Sequence, residues 1–527
     1  MRPIATDTAD FPKLRERGCI YVDKTMFIHR LISDVDARLF FISRPRRFGK
    51  SLTISALKAL FKGRRELFTG LAIDKMNWSW ETCPVIHFEF NDLAVTSIDA
   101  YEKSLAFHVK KRLEDAGYSY DQSQSPADNF GLAIESLSAA NGGRGVVILV
   151  DEYDAPVGHC LDDIEKAEAV RARLSTVYSQ MKNRTGDIRF LLMTGVSKFT
   201  KLSVFSALSN LVDVSQKDEF ATMFGYTEEE LTANFEEHLR EHARIMGKPY
   251  DAYREEMKKW YNGFRFAKGD PTTVYNPISV ALTLYNRECG GFSATWATTG
   301  RPSMLMNVLK REEMLRIDPE GIRGVSASEF DVADLRNLTP VALLFQSGYL
   351  TVKDYTPATG LYTLGVPDEE IRRDFCTLMT GVAANRTDTW AASLGGKLLA
   401  GLWDDFFEGL CSLYAAMAYG PTERRVHENS YGRCLSFLLA SQGFDFTMEA
   451  VQSDGRADIV AKHPAMICIF ELKVDDAIDR AFAQIRGKGY AEPYRADPRP
   501  VWLIGLRFDG ETHRLIDFAA EPFAHGT

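Results

Sequence analysis

The feature that most constrains this chain lies between Leu39 and Phe61. An apolar run, Leu39-Phe-Phe-Ile42, feeds into Arg44-Pro-Arg-Arg-Phe-Gly-Lys-Ser51, and a helical pattern follows from Leu52 to Phe61. A strand that enters a Gly49-Lys50-Ser51 turn and leaves as a helix gathers backbone N–H groups and a helix N-terminus around one point, a site for a phosphate chain. Lys50 then reaches the outer phosphates and the Ser51 hydroxyl ligates Mg²⁺. Arg46 and Arg47, in the same loop, are placed to grip phosphate. The usual spacing puts a glycine at position 44, where this chain has Arg.

Support for the loop comes from further along. Val146-Val-Ile-Leu-Val150 is a continuous apolar run, the pattern of a buried parallel strand, and it ends in Asp151-Glu152. An Asp at a strand end can hold Mg²⁺ through water, and the adjacent Glu can polarise the water that attacks a γ-phosphate. Another run, Phe190-Leu-Leu-Met193, ends in Thr194-Gly195 with Ser197 close by, a position from which a polar residue senses the γ-phosphate. A lone Gly-Lys-Ser is weak evidence. Followed by an apolar strand ending in Asp-Glu, it points to a nucleotide site.

At 527 residues the chain is long enough for two or three domains, each with its own core. Its composition, 45% hydrophobic and 26% charged, is that of a soluble globular protein. The net charge of −9 argues against a chain that coats nucleic acid non-specifically, while leaving room for a local basic groove. The eight cysteines are scattered without a close pair, which suits neither a zinc site nor a disulfide framework and fits a reducing cytoplasm. No signal-peptide core and no apolar segment of membrane-spanning length is apparent, so a cytoplasmic protein without membrane association is expected.

Residues 1 to about 225 alternate strand-like and helix-like patterns, with strands expected at 39–43, 84–90, 145–150 and 188–194, giving an α/β parallel sheet. Thr227-Glu-Glu-Glu230 reads as a capping box opening a helix that runs to Trp260, where Trp260-Tyr-Asn-Gly-Phe264 breaks it. The span 225–290 is read as a helical lid. From about 325 to 385 come a helix and two strand-like runs, Tyr349–Tyr355 and Leu361–Val366, joined by the turn Thr356-Pro-Ala-Thr-Gly360, a winged-helix-like module. A helical stretch over about 390–420 leads into a second α/β domain. The expected division is 1–290, 291–385 and 386–527.

That last domain carries a second chemical pattern. Gly455-Arg-Ala-Asp458-Ile-Val460 is followed by Met466-Ile-Cys-Ile-Phe-Glu471-Leu-Lys473, both framed as strands. Alternation puts Glu471 and Lys473 on one face and Leu472 on the other. Asp458 and Glu471 from neighbouring strands make a hard-oxygen site for Mg²⁺ or Mn²⁺, and Lys473 can orient water and offset charge on a pentacovalent phosphate. Gln484, Arg486 and Lys488 on the following helix can contact phosphates, and Glu423 can add a third carboxylate. Against this stands a plain surface ion pair of Glu471 with Lys473 or Arg486, since charged residues at strand ends are common. Residues 423–527 contain 13 Lys+Arg against 16 Asp+Glu, so a grip on DNA must be local or come from elsewhere in the chain.

With these residues in view, the chain resembles the predicted AAA-ATPase-like family of bacterial proteins. The resemblance rests on Ser43-Arg-Pro-Arg-Arg-Phe-Gly-Lys-Ser51, Tyr21-Val-Asp-Lys-Thr25, Asp151-Glu-Tyr-Asp-Ala-Pro156 and Thr194-Gly-Val-Ser-Lys-Phe199, then Trp260-Tyr-Asn-Gly-Phe264, Tyr275-Asn-Pro277 and Phe345-Gln-Ser-Gly-Tyr349. The tail from Glu423-Arg-Arg-Val-His427 to Gln484 is similar to the PD-(D/E)XK nuclease-like domain usually fused to that family. In that family Arg replaces the first glycine of the loop. The resemblance implies phosphate and Mg²⁺ binding by Lys50 and Ser51, metal and water roles for Asp151 and Glu152, and a sensor role for Thr194. In the tail it implies metal ligation by Asp458 and Glu471, water activation by Lys473, and support from Glu423 and Gln484. Ala457 stands where that superfamily has proline, and Val426 where it has tyrosine.

Three functions fit. An ATPase can gate a metal-dependent nuclease acting on DNA or RNA, with DNA favoured. The chain can be an ATP-driven switch whose tail binds nucleic acid or protein without cutting. Nucleotide binding can be purely structural in an adaptor. The retained Asp458, Glu471 and Lys473 favour the first over the second, and Lys50, Asp151 and Glu152 disfavour the third. Homo-oligomerisation through the ATPase domain is left open.

Overall fold

The computed structural model describes residues 1–198, 210–286, 291–296, 321–331, 335–384, 386–416, 428–452 and 455–523. They fall into two compact units, one running from residue 1 into the 290s and resuming over Ile322–Glu369, the other from Glu370 onward.

The first unit is organised by a five-stranded sheet of β1 (Leu39–Ser43), β2 (Val85–Glu89), β3 (Val146–Asp151), β4 (Ile188–Gly195) and β5 (Val212–Asp213), in the order β2-β3-β4-β1-β5 with every pair parallel. Four of these match the strands expected from sequence. The fifth has two residues, too few to leave a periodic signal. β3 is buried along its whole length, as its unbroken apolar run requires of a strand covered on both faces. The helix Lys50–Phe61 returns along the sheet with Ile54, Ala56, Leu57, Leu60 and Phe61 buried. Because all strands run one way, the residues leaving β1, β3 and β4 emerge along one edge, where ligands bind in open α/β sheets.

The Thr227–Glu230 capping box forms as expected, with both reciprocal hydrogen bonds present. The single helix expected from there to Trp260 is two, Glu228–Ile245 and Tyr250–Tyr261. Gly247 at φ +65° lies between them, and Pro249 precedes the second helix, where it cannot continue the first. Together with the helix Pro277–Tyr285 they bury Leu231, Phe235, Leu239, Tyr253 and Met257 against Ile20 and Val22 of the N-terminal segment. The break at Trp260–Phe264 becomes a small ladder, β6 (Asn262–Phe264) with β7 (Val274–Tyr275). Gly263 is obligatory there, since a Cβ would stand 1.8 Å from the Pro367 carbonyl oxygen.

The remainder of this unit holds β8 (Ile322–Val325), β9 (Thr351–Thr356) and β10 (Leu361–Gly365), an antiparallel sheet in the order β8-β10-β9, with short helices Ala327–Phe330 and Pro340–Gln346. The expected hairpin joins β9 and β10, and Gly360 takes φ +70° in its turn.

In the second unit the helical stretch expected over 390–420 is the pair Asp388–Leu399 and Trp403–Ala416, separated at Gly401, φ +68°. A mixed five-stranded sheet follows, in sequential order: β11 (Asp445–Gln452), β12 (Gly455–His463), β13 (Met466–Val474), β14 (Val501–Phe508) and β15 (Leu515–Pro522). Only β13 and β14 pair in parallel, and the helix Ile478–Gly487 makes the crossover that such a pair needs. One face of the sheet packs through Phe470, Leu472, Ile504 and Phe508 on the helices Trp403–Ala416 and Glu428–Ser441, and the other packs through Ile467, Ile469 and Leu503 on Phe482 and Ile485. Among the described residues no helix is long and apolar enough to cross a membrane.

Candidate functional site

Two constellations lie where the sequence predicts chemistry, one in each unit. The first borders a cavity of about 500 Å³ at the sheet's C-terminal edge. Its floor is the loop after β1, with Arg46, Arg47, Gly49, Lys50 and Ser51 all lining it, and Glu152 faces it from the end of β3. Gly49 sits at φ +100°, the turn that lets the helix begin at Lys50. Arg47 also takes a positive φ, 68°. The far wall is apolar: Ile20, Tyr226, Pro277, Ile278 and Ala281.

Lys50 is 5% exposed and folds back over its own loop, donating to the carbonyls of Arg44 (2.9 Å) and Pro45 (2.8 Å). Burial lowers its proton affinity, against the opposing charges of Asp151, Glu152 and Asp154. Asp151 is buried, and its Oδ1 accepts from the Thr194 hydroxyl at 2.6 Å and from the Glu152 N–H at 3.1 Å. Thr194, next to last in β4, pairs with Ile42 of β1, so three adjacent strands deliver the loop, the acid pair and the threonine. Glu152 takes φ +51°, and burial raises its pKa although Lys50 pulls the other way.

Arg44, at the position of the missing glycine, leaves the cavity altogether. Its guanidinium is buried, donates to the carbonyls of Ser43 (2.9 Å), Ser215 (2.6 Å) and Phe220 (3.3 Å), and lies 4.3 Å over the Phe266 ring. Burial brings its pKa down to about 9. The substitution therefore exchanges loop flexibility for a strut, while the Arg44 backbone carbonyl still faces Lys50.

Several supports were invisible in the sequence. Asp154 accepts from the Ser197 N–H (2.6 Å) and hydroxyl (2.5 Å) and from the Val196 N–H (3.2 Å), fastening the exit of β4. Ser197, expected near the phosphate, is occupied by that task. Gly195 makes the fastening possible, because a Cβ would lie 2.5 Å from Asp154 Oδ1 and from the Tyr153 ring. Lys24 of the Tyr21–Thr25 motif pairs with Glu230 (2.6 Å) of the capping box opening the helix Glu228–Ile245 and donates to the Thr222 carbonyl at 2.7 Å. Asn91, just past β2, also lines the cavity. Only the Asp-Glu-Tyr-Asp spacing hinted at Asp154; the others depend on long-range contacts.

The second constellation spans β12, β13 and the crossover helix. Asp458 Oδ2 accepts the Leu472 N–H across the ladder at 2.7 Å. Glu471 is 1% exposed; its Oε1 accepts from Lys473 at 2.8 Å, whereas its Oε2 is buried without a hydrogen-bond partner. Burial and the charge of Asp458 push its pKa up to about 7, against Lys473. Lys473 donates also to Gln484 Oε1 (2.9 Å), and Gln484 Nε2 approaches the Tyr490 hydroxyl at 3.3 Å. Glu471, Lys473 and Gln484 are thus one hydrogen-bonded chain, with Asp458 fixed beside it on the Leu472 N–H, and the Glu471–Lys473 pair is buried rather than superficial. Arg486 instead pairs with Glu521 on β15. Glu423 and His427 lie outside the described residues. Among the described residues no group of three or more His, Cys, Asp or Glu side chains converges on a metal position. The donor chemistry still suits a hard cation: two carboxylates, one with an oxygen buried and unsatisfied.

Comparison with known proteins agrees with this layout. The family described as predicted AAA-ATPase matches residues 3–205, and the PD-(D/E)XK nuclease superfamily matches residues 426–518. The chain is 32% identical over 536 residues to an uncharacterized protein in the vnfD 5′ region of Azotobacter chroococcum mcd 1, covering 98% of each chain. No solved structure matches. By its two matched domains and this full-length likeness, the chain belongs to the predicted AAA-ATPase family, in the form that carries a C-terminal PD-(D/E)XK nuclease domain.

Proposed function

We propose that the chain binds and hydrolyses ATP in the loop cavity and cleaves nucleic-acid phosphodiesters at the Asp458–Glu471–Lys473 group, with the nucleotide state gating cleavage. The observation that carries the first half is the meeting of Lys50, Ser51 and Glu152 in one cavity. A triphosphate draws the Lys50 amine away from the Arg44 and Pro45 carbonyls, and the N–H groups opening the helix at Lys50 face the phosphates. Arg46 and Arg47 add charge-assisted contacts. Glu152, with its raised proton affinity, takes the proton of the attacking water. Thr194 keeps Asp151 in place, a sensing role exercised through the acid rather than at the phosphate. Ser51 and Asp151 are the residues that would hold Mg²⁺, which when bound neutralises charge on the β- and γ-phosphates.

The observation that carries the second half is the unsatisfied Glu471 Oε2 beside Asp458. These two carboxylates, with Glu423 as the expected third, would hold Mg²⁺ or Mn²⁺, which when bound acidifies a water and polarises the phosphate. Lys473, fixed between Glu471 and Gln484, orients the attacking water. DNA is favoured over RNA as the substrate, and a homo-oligomer through the ATPase domain is compatible with the family. A second reading keeps the ATPase as a switch and the tail as a silent binding module; among the described residues, two carboxylates rather than three converge there.

The test is cleavage of linear, circular and single-stranded DNA and of RNA with Mg²⁺ or Mn²⁺, with and without ATP. Wild type runs beside Lys473→Ala and Lys50→Ala. Cleavage lost in Lys473→Ala and altered by ATP supports the gated nuclease. ATP turnover without any cleavage shifts the conclusion to the switch.

A further inference from the structure

The Phe345-Gln-Ser-Gly-Tyr349 segment takes no part in either reaction, yet it touches the nucleotide site twice. Gln346 is buried at the end of the helix Pro340–Gln346, where its Oε1 accepts the backbone N–H of Lys198 at 2.9 Å and its Nε2 donates to the Phe330 carbonyl at 3.2 Å. Lys198 lies just beyond β4, and its amine is held by Asp213 of β5 (3.0 Å) and by Asp331 (2.6 Å). Two residues past Gln346, Gly348 at φ +89° abuts the phosphate loop. A Cβ there would stand 2.8 Å from the Pro45 Cβ and 3.2 Å from the Trp296 ring. Pro45 supplies one of the two carbonyls that hold Lys50.

We propose that the Gln346–Gly348 turn is a positioning element of the nucleotide site: Gln346 sets the exit of β4, and through it Thr194 and Asp151, while Gly348 sets Pro45 and the loop. The proposal rests on the ATP reading of the cavity. An amide can satisfy an N–H with its oxygen and a carbonyl with its NH₂ in one orientation only, so Gln346 fixes both partners at once. The chain then runs without a gap from Gln346 to Lys198, Ser197 and Asp154, and back to the Asp151–Glu152 acid pair through Tyr153, whose hydroxyl donates to the Ser197 carbonyl at 3.0 Å. On the loop side the contact is steric, and the absence of a side chain at 348 is what lets its backbone approach the Pro45 ring. The antiparallel β8–β10 module is thereby mechanically attached to both the hydrolytic and the binding side of the cavity. When nucleotide moves Lys50 off the Pro45 carbonyl, this turn is the place where that change is felt.

The two contacts predict separable kinetics in the full-length protein. Gln346→Met keeps volume but removes the hydrogen bonds; kcat for ATP should fall about five- to tenfold with KM little changed, the size expected of coupling through packed networks. Gly348→Ala pushes on the loop and should raise KM more than it lowers kcat. Gln346→Glu, which when protonated reproduces both hydrogen bonds, should retain most of the wild-type kcat. Melting curves with and without nucleotide report folding for each variant. Wild-type kcat and KM in both Gln346→Met and Gly348→Ala, whatever their melting temperatures, would overturn the proposal, since a turn that merely packs would move stability alone. An equal loss of kcat in Gln346→Glu and Gln346→Met would also overturn it. A wild-type protein that neither binds nor hydrolyses ATP overturns the reading of the cavity and this proposal with it; normal wild-type turnover beside unaltered variants overturns the proposal alone.

Discussion

The phosphate loop and the carboxylate group idle in opposite ways. Lys50 gives two of its three N–H donors to the loop's own carbonyls, so its amine is mostly occupied by backbone. Glu471 has an oxygen buried with no partner and holds its proton up to about pH 7. On the proposed reading, the difference follows from the sign of the ligand. A site built for an anion is made of donors, and backbone carbonyls can occupy donors in the meantime. A site built for a cation is made of carboxylates, which repel one another and find relief only in a proton, a lysine or the metal.

The largest expected effects remove the central cation of each site. Lys50→Ala should cut ATP turnover about 100-fold or more, the scale of a lost transition-state charge contact, and Lys473→Ala should do the same to cleavage. Steady-state ATPase and nuclease assays check both. A Lys50→Ala protein with wild-type turnover would break the comparison at its anion end.

A pH experiment tests the cation end. The folded chain holds the Glu471 proton to about pH 7, against an ordinary value of 4.5. Between those values the folded state binds more protons than the unfolded state, so this group makes the metal-free protein less stable as pH rises through that window. The full effect is at most about 3.5 kcal/mol, 2.5 pH units at about 1.4 kcal/mol each. Melting curves with a chelator at pH 5 and 7.5, compared with Glu471→Gln, should show the slope vanish in the variant. Divalent metal competes with that proton, so stabilisation by Mg²⁺ or Mn²⁺ should be stronger at pH 7.5 than at pH 5.

Arg44→Gly restores the usual loop spacing and should nonetheless destabilise the first unit by about 2–4 kcal/mol, because the Ser215 and Phe220 carbonyls lose a buried donor. Denaturant unfolding measures this, and an Arg44→Gly chain as stable as wild type would deny the strut. The smallest effect is expected from Thr194→Val, which frees one hydrogen bond on Asp151 for about 1 kcal/mol. ATP turnover should fall modestly, with nucleotide affinity preserved.

Much of this was legible in the chain because it rests on local pattern. The unbroken apolar runs marked four of the parallel strands, and strand alternation put Glu471 and Lys473 on one face. The capping box at Thr227–Glu230 formed as read. The helix continued too far, to Trp260, because its apolar periodicity outlasts a Gly-x-Pro interruption at 247–249 whose effect is on backbone geometry. The two-residue β5 left no pattern at all.

What the sequence determined by itself is the set of groups offered to each site: donors after β1, acids after β3, and the Asp458, Glu471, Lys473 and Gln484 side chains. These depend on period and on strand direction, which neighbouring residues control. Tertiary structure alone decided where Arg44 points, that Asp154 fastens β4, that Lys24 reaches the capping box at Glu230, and that Gln346 meets Lys198. Each of those joins residues far apart in the chain, brought together by burial of apolar surface, and a buried polar group takes whatever partner the packed interior leaves within reach.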